Sequence, residues 1–224
     1  MSGPHVDLAQ LEAATTLALA DGHRLFQTHR LSADDAEQVG ILLEWMAPPP
    51  GALVLDAGCG IGEVSRLMAA WRPDLSFLLA NLSPLQLAHC PAGERFAPLH
   101  ADCHALPLDG NCVDVVMFHS ALTQMDAPAA LAEAARVVRP GGIVFLAEMT
   151  REPGSDGTEF EAVTTARVRT CKDLLEAAAA AGLDFEVGFF PAANDAHFRA
   201  GLRELGREHL MAPIRFVVLR FIKR

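Results

Sequence analysis

Asp56-Ala57-Gly58-Cys59-Gly60-Ile61-Gly62, entered from the apolar run Leu53-Val54-Leu55, is the segment whose residue types and spacing most directly suggest chemistry. Glycines at every second position let backbone approach a ligand closely and adopt φ values that are closed to side chains. The apolar run ending at an acid has the form of a buried strand. Val64, Leu67, Met68 and Trp71 then recur at helical spacing. A strand–turn–helix of this kind puts its turn in the crevice beyond the carboxyl ends of a parallel sheet, where ligands bind. Proton transfer is within reach of two further strand-end residues. His119 is the leading general-base candidate, because an imidazole titrates at about 6.5; its alternative role is to shape the pocket or touch the cofactor. Glu148, leaving a later strand, is the second candidate and is expected to face the acceptor.

The spacing separates two cofactor classes. A dinucleotide turn follows G-x-G-x-x-G and aims a helix N-terminus at a pyrophosphate. Here the pattern is D-x-G-x-G-x-G, with Glu63 directly behind it, where a phosphate would be repelled. This pattern resembles motif I of the class I S-adenosylmethionine-dependent methyltransferases. The resemblance implies S-adenosyl-L-methionine as cofactor, with Asp56, Gly58, Cys59 and Gly60 around its amino-acid and ribose part. A bulky residue at Gly58 is then expected to fill the cofactor's space. Asn81-Leu82-Ser83-Pro84-Leu85-Gln86 resembles a turn of small-molecule C-methyltransferases, which implies that Asn81 meets the ribose hydroxyls and that Leu82 and Gln86 lie close to the cofactor. Most of the family has an acid at the position of Asn81. A neutral amide holds hydroxyls more weakly than a carboxylate does, so Asn81→Asp is expected to preserve or tighten binding. Ser83-Pro84 also has the form of a helix cap.

In His100-Ala101-Asp102-Cys103-His104, two histidines and an acid alternate as metal ligands could. The resemblance instead assigns Asp102 to the adenine amino group and the Cys103 N–H to the ring, so no metal is expected. His119 would touch the cofactor from the next strand end, and Gln124 the acceptor. Glu133-Ala134-Ala135-Arg136-Val137-Val138-Arg139-Pro140-Gly141-Gly142 resembles the E-x-x-R-V-L-x-P-G-G signature of the ubiquinone/menaquinone-biosynthesis-like branch, a structural element. These matches cover about residues 50–148.

The elements that must position these residues alternate, which signals an α/β sheet. Strands are expected at 52–56, 75–80, 96–100, 113–118 and 142–148, with helices at about 62–71, 84–90 and 127–138. A helix at 170–181, a strand at 183–190 with Phe185, Val187 and Phe189 on one face, a polar helix at 193–209 and a strand at 214–222 complete the chain. The expected fold is a Rossmann-like, seven-stranded, mostly parallel sheet with helices on both faces and an antiparallel last strand. Residues 1–47 should form an N-terminal helical cover or lid and 48–224 the globular domain. In the cover, Leu8, Leu11, Ala14, Thr15 and Ala18 form one stripe. A second helix starts near Ser32, an N-cap signal, and carries Val39, Leu42, Leu43 and Met46. Between the two lie His23, Arg24, Phe26, His29 and Arg30, which would suit an anionic or aromatic acceptor.

Composition narrows the partners. Eighteen basic against 28 acidic residues give a net charge of −10, which argues against a nucleic-acid partner. No 18-residue apolar run suggests a membrane span, and the N-terminus lacks a secretory pattern, so a cytoplasmic protein is expected. The five cysteines form no CxxC pair and are expected as buried small hydrophobes. The expected activity is methyl transfer to carbon or oxygen of a small molecule, with the oligomeric state open, a homodimer included. Two rivals stand beside it: a non-catalytic cofactor-binding partner and a nucleotide-dependent oxidoreductase. The chain has no tyrosine, so it cannot supply the Tyr-x-x-x-Lys pair of the short-chain dehydrogenases.

Overall fold

In the computed structural model, residues 7–22, 32, 34–190 and 196–224 are described. Seven strands form one sheet in the order β3-β2-β1-β4-β5-β7-β6. They are β1 (Leu53–Ala57), β2 (Ser76–Asn81), β3 (Phe96–His100), β4 (Val113–His119), β5 (Val138–Arg151), β6 (Leu183–Phe189) and β7 (Ile214–Lys223). The first five run parallel, and β7 pairs antiparallel with both β5 and β6. The sheet winds outward in one direction from β1 through β2 to β3, and in the other from β4 to β5. The crevice between the carboxyl ends of β1 and β4 is therefore the topological switch point.

The strands are short apolar runs because both faces of the sheet are covered. On one face Leu55, Val116, Phe118 and Leu146 pack with Leu131 and Ala134 of α5 (Ala127–Val137) and Leu174 of α7 (Cys171–Ala180). On the other, Val54, Phe77, Met117 and Phe145 pack with Val39, Leu42 and Met46 of α2 (Asp35–Met46) and Met68 of α3 (Glu63–Trp71). A third cluster, of Met149, Phe160, Leu202, Met211 and Ile214, joins α6 (Thr158–Thr164) and α8 (Ala196–Glu204) to the far end of the β5–β7 hairpin. Of the two N-terminal helices, α2 belongs to the core. By contrast, α1 (Leu8–Ala20) adds nothing to any of these clusters, and its one buried side chain is Thr15.

Several local expectations change. Asp34 rather than Ser32 caps α2, accepting the Glu37 N–H at 2.8 Å. Ser83 does cap α4 (Pro84–Ala88), with Pro84 in its first turn, but the helix ends at 88. Arg139 to Gly142 lies inside β5 as a bulge: Val113 pairs with Val138, while Val115 pairs with Ile143. There the backbone is so crowded that a Cβ on Gly142 would stand 2.8 Å from the Asp114 carbonyl. Among the described residues, the polar helix expected at 193–209 runs over Ala196–Glu204 and stops short of 209, with a positive φ of 67° at Gly206 beyond it; residues 193–195 lie outside the described residues. Helix α6 was not foreseen.

The largest correction is in β6. A shift of register between Phe185 and Val187 inverts the alternation of side chains. Phe185 pairs with Phe221 on the α5/α7 face, while Val187 and Phe189 fall on the other, where Phe189 stacks on Trp45 at 3.9 Å. The three do not share a face.

Candidate active site

The turn after β1 is built by three left-handed glycines, with φ of 82° at Gly58, 57° at Gly60 and 70° at Gly62. Their surroundings differ. A Cβ on Gly58 would stand 2.7 Å from Ala121 Cβ, and one on Gly62 would stand 2.7 Å from Pro91. A Cβ on Gly60 would meet nothing within 4 Å. Gly58 and Gly62 are therefore dictated by packing, and Gly60 by the space in front of it. The expectation that Gly58 borders the cofactor's own volume moves to Gly60.

That space is an open cleft at the switch point, about 1040 Å³ out to its mouth. Its walls come from four adjacent strand ends: Gly58, Cys59 and Gly60 after β1; Asn81, Leu82 and Gln86 after β2; Asp102, Cys103 and His104 after β3; and His119, Ser120, Gln124 and Met125 after β4. Leu8 and Leu11 of α1 close one side. Of the site residues expected from sequence, the structure brings these together, leaving out Asp56 and Glu148. His23, Arg24, Phe26, His29 and Arg30 lie outside the described residues.

Asp56 sits beneath the turn and does not line the cleft. Its Oδ2 accepts the Ser65 hydroxyl at 2.6 Å, tying β1 to the first turn of α3. Burial raises its carboxyl to about 6, a rise opposed by the Ser65 hydrogen bond. The next residue on the cleft wall is Glu63, whose Oε1 and Oε2 are both bridged by Arg66, at 2.6 and 2.9 Å. After β3, Asp102 Oδ1 accepts both the His104 N–H, at 2.9 Å, and the His104 Nδ1, at 2.6 Å. His104 Nε2 accepts the Asp126 N–H at 3.0 Å, which assigns the ring proton to Nδ1. Asp102 Oδ2 has no partner among the described residues, so it remains an acceptor for a ligand. Among the described residues no group of three or more His, Cys, Asp or Glu could hold a metal.

The loop after β4 is held from behind. Ser120 takes a left-handed φ of 53°, and its buried hydroxyl has no hydrogen-bond partner among the described residues. A non-glycine residue in that conformation carries backbone strain. Glu148 Oε1 accepts the N–H groups of Ala121 and Leu122 at 2.7 and 2.8 Å, capping the 3-10 turn Leu122–Gln124. Arg169 donates to the carbonyls of Leu122, at 3.1 Å, and Met125, at 2.8 Å. The expectation that Glu148 faces the acceptor therefore changes: it is 1% exposed and turned into the loop backbone. Burial pushes its carboxyl up to about 7, against the lowering effect of those two N–H groups. Sequence reasoning missed Arg169 because it is remote along the chain, and Ser120 because only its φ marks it.

The cysteines are mixed. Cys103 is buried, and desolvation pushes its thiol up to about 12, so it is no nucleophile. Cys59 and Cys90 bring their sulfurs to 4.0 Å, and Cys112 is exposed, contrary to expectation.

The cleft's makers fall within a family match: a model described as a methyltransferase domain matches residues 55–146. Malonyl-(acyl-carrier protein) O-methyltransferase of Pectobacterium atrosepticum is 38% identical over 113 residues, 48% of this chain and 43% of that protein. The same enzyme of Salmonella typhimurium is 33% identical over 132 residues, 57% of this chain and 51% of the relative. The chain thus spans about half the length of these relatives. Among solved structures, geranyl diphosphate C-methyltransferase from Streptomyces coelicolor superposes with a TM-score of 0.80 over 100% of both chains at 13% identity. The cyclase SpnF does so with a TM-score of 0.78 over 96% of this chain and 93% of its own, at 19% identity. Both likenesses concern the fold. The strands and turns that build the cleft, residues 55–146, thus carry a methyltransferase domain, and these likenesses support a class I S-adenosylmethionine-dependent methyltransferase.

Proposed function

We propose that the protein binds S-adenosyl-L-methionine in this cleft and transfers its methyl group to carbon or oxygen of a small molecule. The observation that carries this reading is the convergence of Gly60, Asn81, Asp102 and His119, one from each of four adjacent strand ends, on one cleft at the switch point. The residues present fit the group. Glu63 and Asp102 are the wall's acids, and no lysine or arginine of the described residues lines it. Such a wall suits a zwitterion with a sulfonium better than a pyrophosphate. The open space before Gly60 would take the cofactor's backbone-facing edge, and Asp102 Oδ2 is placed to accept from an amino group.

When bound, the cofactor supplies an electrophilic methyl group. The chain's own share is alignment, exclusion of water and, for some acceptors, removal of a proton. Ser120, Gln124 and Met125 form the wall where an acceptor would approach. His119, at the end of β4, is the residue we assign to take a proton from a hydroxyl, enol or acidic carbon. Glu148 is assigned a positioning role through the loop it caps. Of the proteins named above, the relatives methylate malonyl-(acyl-carrier protein) and one protein alike in fold methylates geranyl diphosphate. For an acceptor carrying a carboxylate or diphosphate, the sequence offers Arg24 and Arg30, with His23, Phe26 and His29 as further substrate-binding candidates. We place the reaction in the cytoplasm, with no nucleic-acid partner.

A second reading has an observation behind it. The fold is shared with a protein named as a cyclase, and fold alone does not fix the reaction. Incubation with S-adenosylmethionine and a panel of prenyl diphosphates, 2-oxo acids and phenols separates the two. Release of S-adenosylhomocysteine with a product heavier by one methylene is expected. Turnover of a nucleic acid or protein acceptor alone would overturn the small-molecule reading, and isomerised product without methylation would favour the second.

A further inference from the structure

Helix α1 lies over the cleft and, among the described residues, contributes none to the three hydrophobic clusters. Leu8 and Leu11 reach the cleft, Leu17 is 68% exposed, and the one buried side chain is the polar Thr15. What holds the helix is a chain of hydrogen bonds. Asn81 Nδ2 donates to the Gly60 carbonyl at 3.1 Å and to Gln86 Oε1 at 2.8 Å. Gln86 Nε2 donates to Thr15 Oγ1 at 2.8 Å, and the Thr15 hydroxyl donates to the Leu11 carbonyl at 2.9 Å. Beside this chain, the Ser83 hydroxyl donates to Glu12 Oε1 at 2.7 Å.

The direction of every bond is determined. The Gly60 carbonyl can only accept, and the Ser83 N–H, 3.1 Å from Asn81 Oδ1, can only donate. These two backbone groups fix the Asn81 amide, which fixes Gln86, which in turn fixes Thr15. We propose that Asn81, Gln86 and Thr15 are positioning residues, a relay that seats α1 over the cofactor cleft and joins its docking to the glycine turn. This inference rests on placing the cofactor in the cleft.

The relay explains the amide at position 81. An ionised carboxylate there has no proton for either the Gly60 carbonyl or Gln86 Oε1, and a protonated one has a single proton for two acceptors. Toward a ribose, both Asn81 protons are already engaged, so the side chain can offer only the second lone pair of Oδ1. The expectation that Asn81→Asp would preserve or tighten binding is therefore reversed. Position 86 behaves oppositely. A carboxyl at 86 accepts from Asn81 in either protonation state. It can also meet the Thr15 hydroxyl, as acceptor when ionised and as donor when protonated.

Hydrogen-exchange mass spectrometry of residues 8–20, with and without S-adenosylhomocysteine, tests this on the full chain. Thr15→Val and Asn81→Asp should speed exchange across α1 by roughly five- to tenfold, the loss of one or two buried hydrogen bonds. Thr15→Ser and Gln86→Glu should behave as wild type, a rescue that general loss of packing would not give. S-adenosylhomocysteine should slow α1 exchange in the wild type and not in Thr15→Val. Should Asn81→Asp fail to fold, Thr15→Val, which alters only α1 and its bond to Gln86, decides alone. Wild-type exchange of α1 in Thr15→Val, or a Gln86→Glu variant as loose as Asn81→Asp, would overturn the relay. Absence of protection at residues 58–62 on adding S-adenosylhomocysteine would instead overturn the placement of the cofactor, whatever α1 does.

Discussion

Glu148 shows how one buried carboxyl can serve a site it does not touch. Its Oε1 caps two loop N–H groups, while its Oε2 has no partner among the described residues. Burial raises the carboxyl from its ordinary 4.5 to about 7. Between these values the folded protein binds more protons than the unfolded one, so stability falls as pH rises through the window. Glu148→Gln keeps an oxygen for both N–H groups and carries no charge at any pH. Its stability relative to wild type should therefore climb between pH 4.5 and 7 and level off above, by at most roughly 3 kcal/mol. Paired thermal melts across that range measure it, and parallel pH profiles for the two proteins would count against the buried, raised carboxyl. The glycines make a second residue-scale prediction. Gly58→Ala puts a Cβ against Ala121 and forces a strained φ, so it should lower the melting temperature. Gly60→Asn meets open space with a residue that tolerates φ near 57°, so the fold should be retained.

Among the elements, the segment from His119 to Met125 is held by groups from two distant places in the chain, Glu148 on β5 and Arg169 before α7. Arg169 donates two charge-assisted hydrogen bonds to its carbonyls. Arg169→Ala should destabilise the protein by roughly 2–3 kcal/mol and loosen residues 120–125, read by melting and by amide exchange. An unchanged melting temperature would show that the loop is set by Glu148 alone. Elements also mark where sequence patterns stopped being informative. The parallel strands were legible because each is a short apolar run buried on both faces. The face of Phe185 was not, because a single register shift in β6 inverts the alternation without leaving a mark in composition. In α1 the expected stripe of Leu8, Leu11, Ala14, Thr15 and Ala18 has one fully buried member, the polar Thr15. Its docking depends on Gln86, 71 positions away along the chain.

At the scale of the whole molecule, the order β3-β2-β1-β4-β5-β7-β6 decides where ligands can bind, and the residues expected from motifs after β1, β2, β3 and β4 gather there. The site was legible because each of these residues follows its own strand directly. Asp56 and Glu148 were misplaced for the same reason: strand-end position does not tell whether a carboxylate turns to the cleft or to the backbone behind it. The cleft's acidic wall and its open space before Gly60 converge on one claim, that this is where the sulfonium cofactor lies. Calorimetric titration of wild type and Gly60→Asn with S-adenosylhomocysteine, and with NAD as control, tests it most directly. Wild type should bind S-adenosylhomocysteine and not NAD. Gly60→Asn, with an unchanged melting temperature, should bind at least tenfold more weakly, a difference of about 1.4 kcal/mol. Equal affinity in the two proteins, or saturable binding of NAD instead, would contradict it.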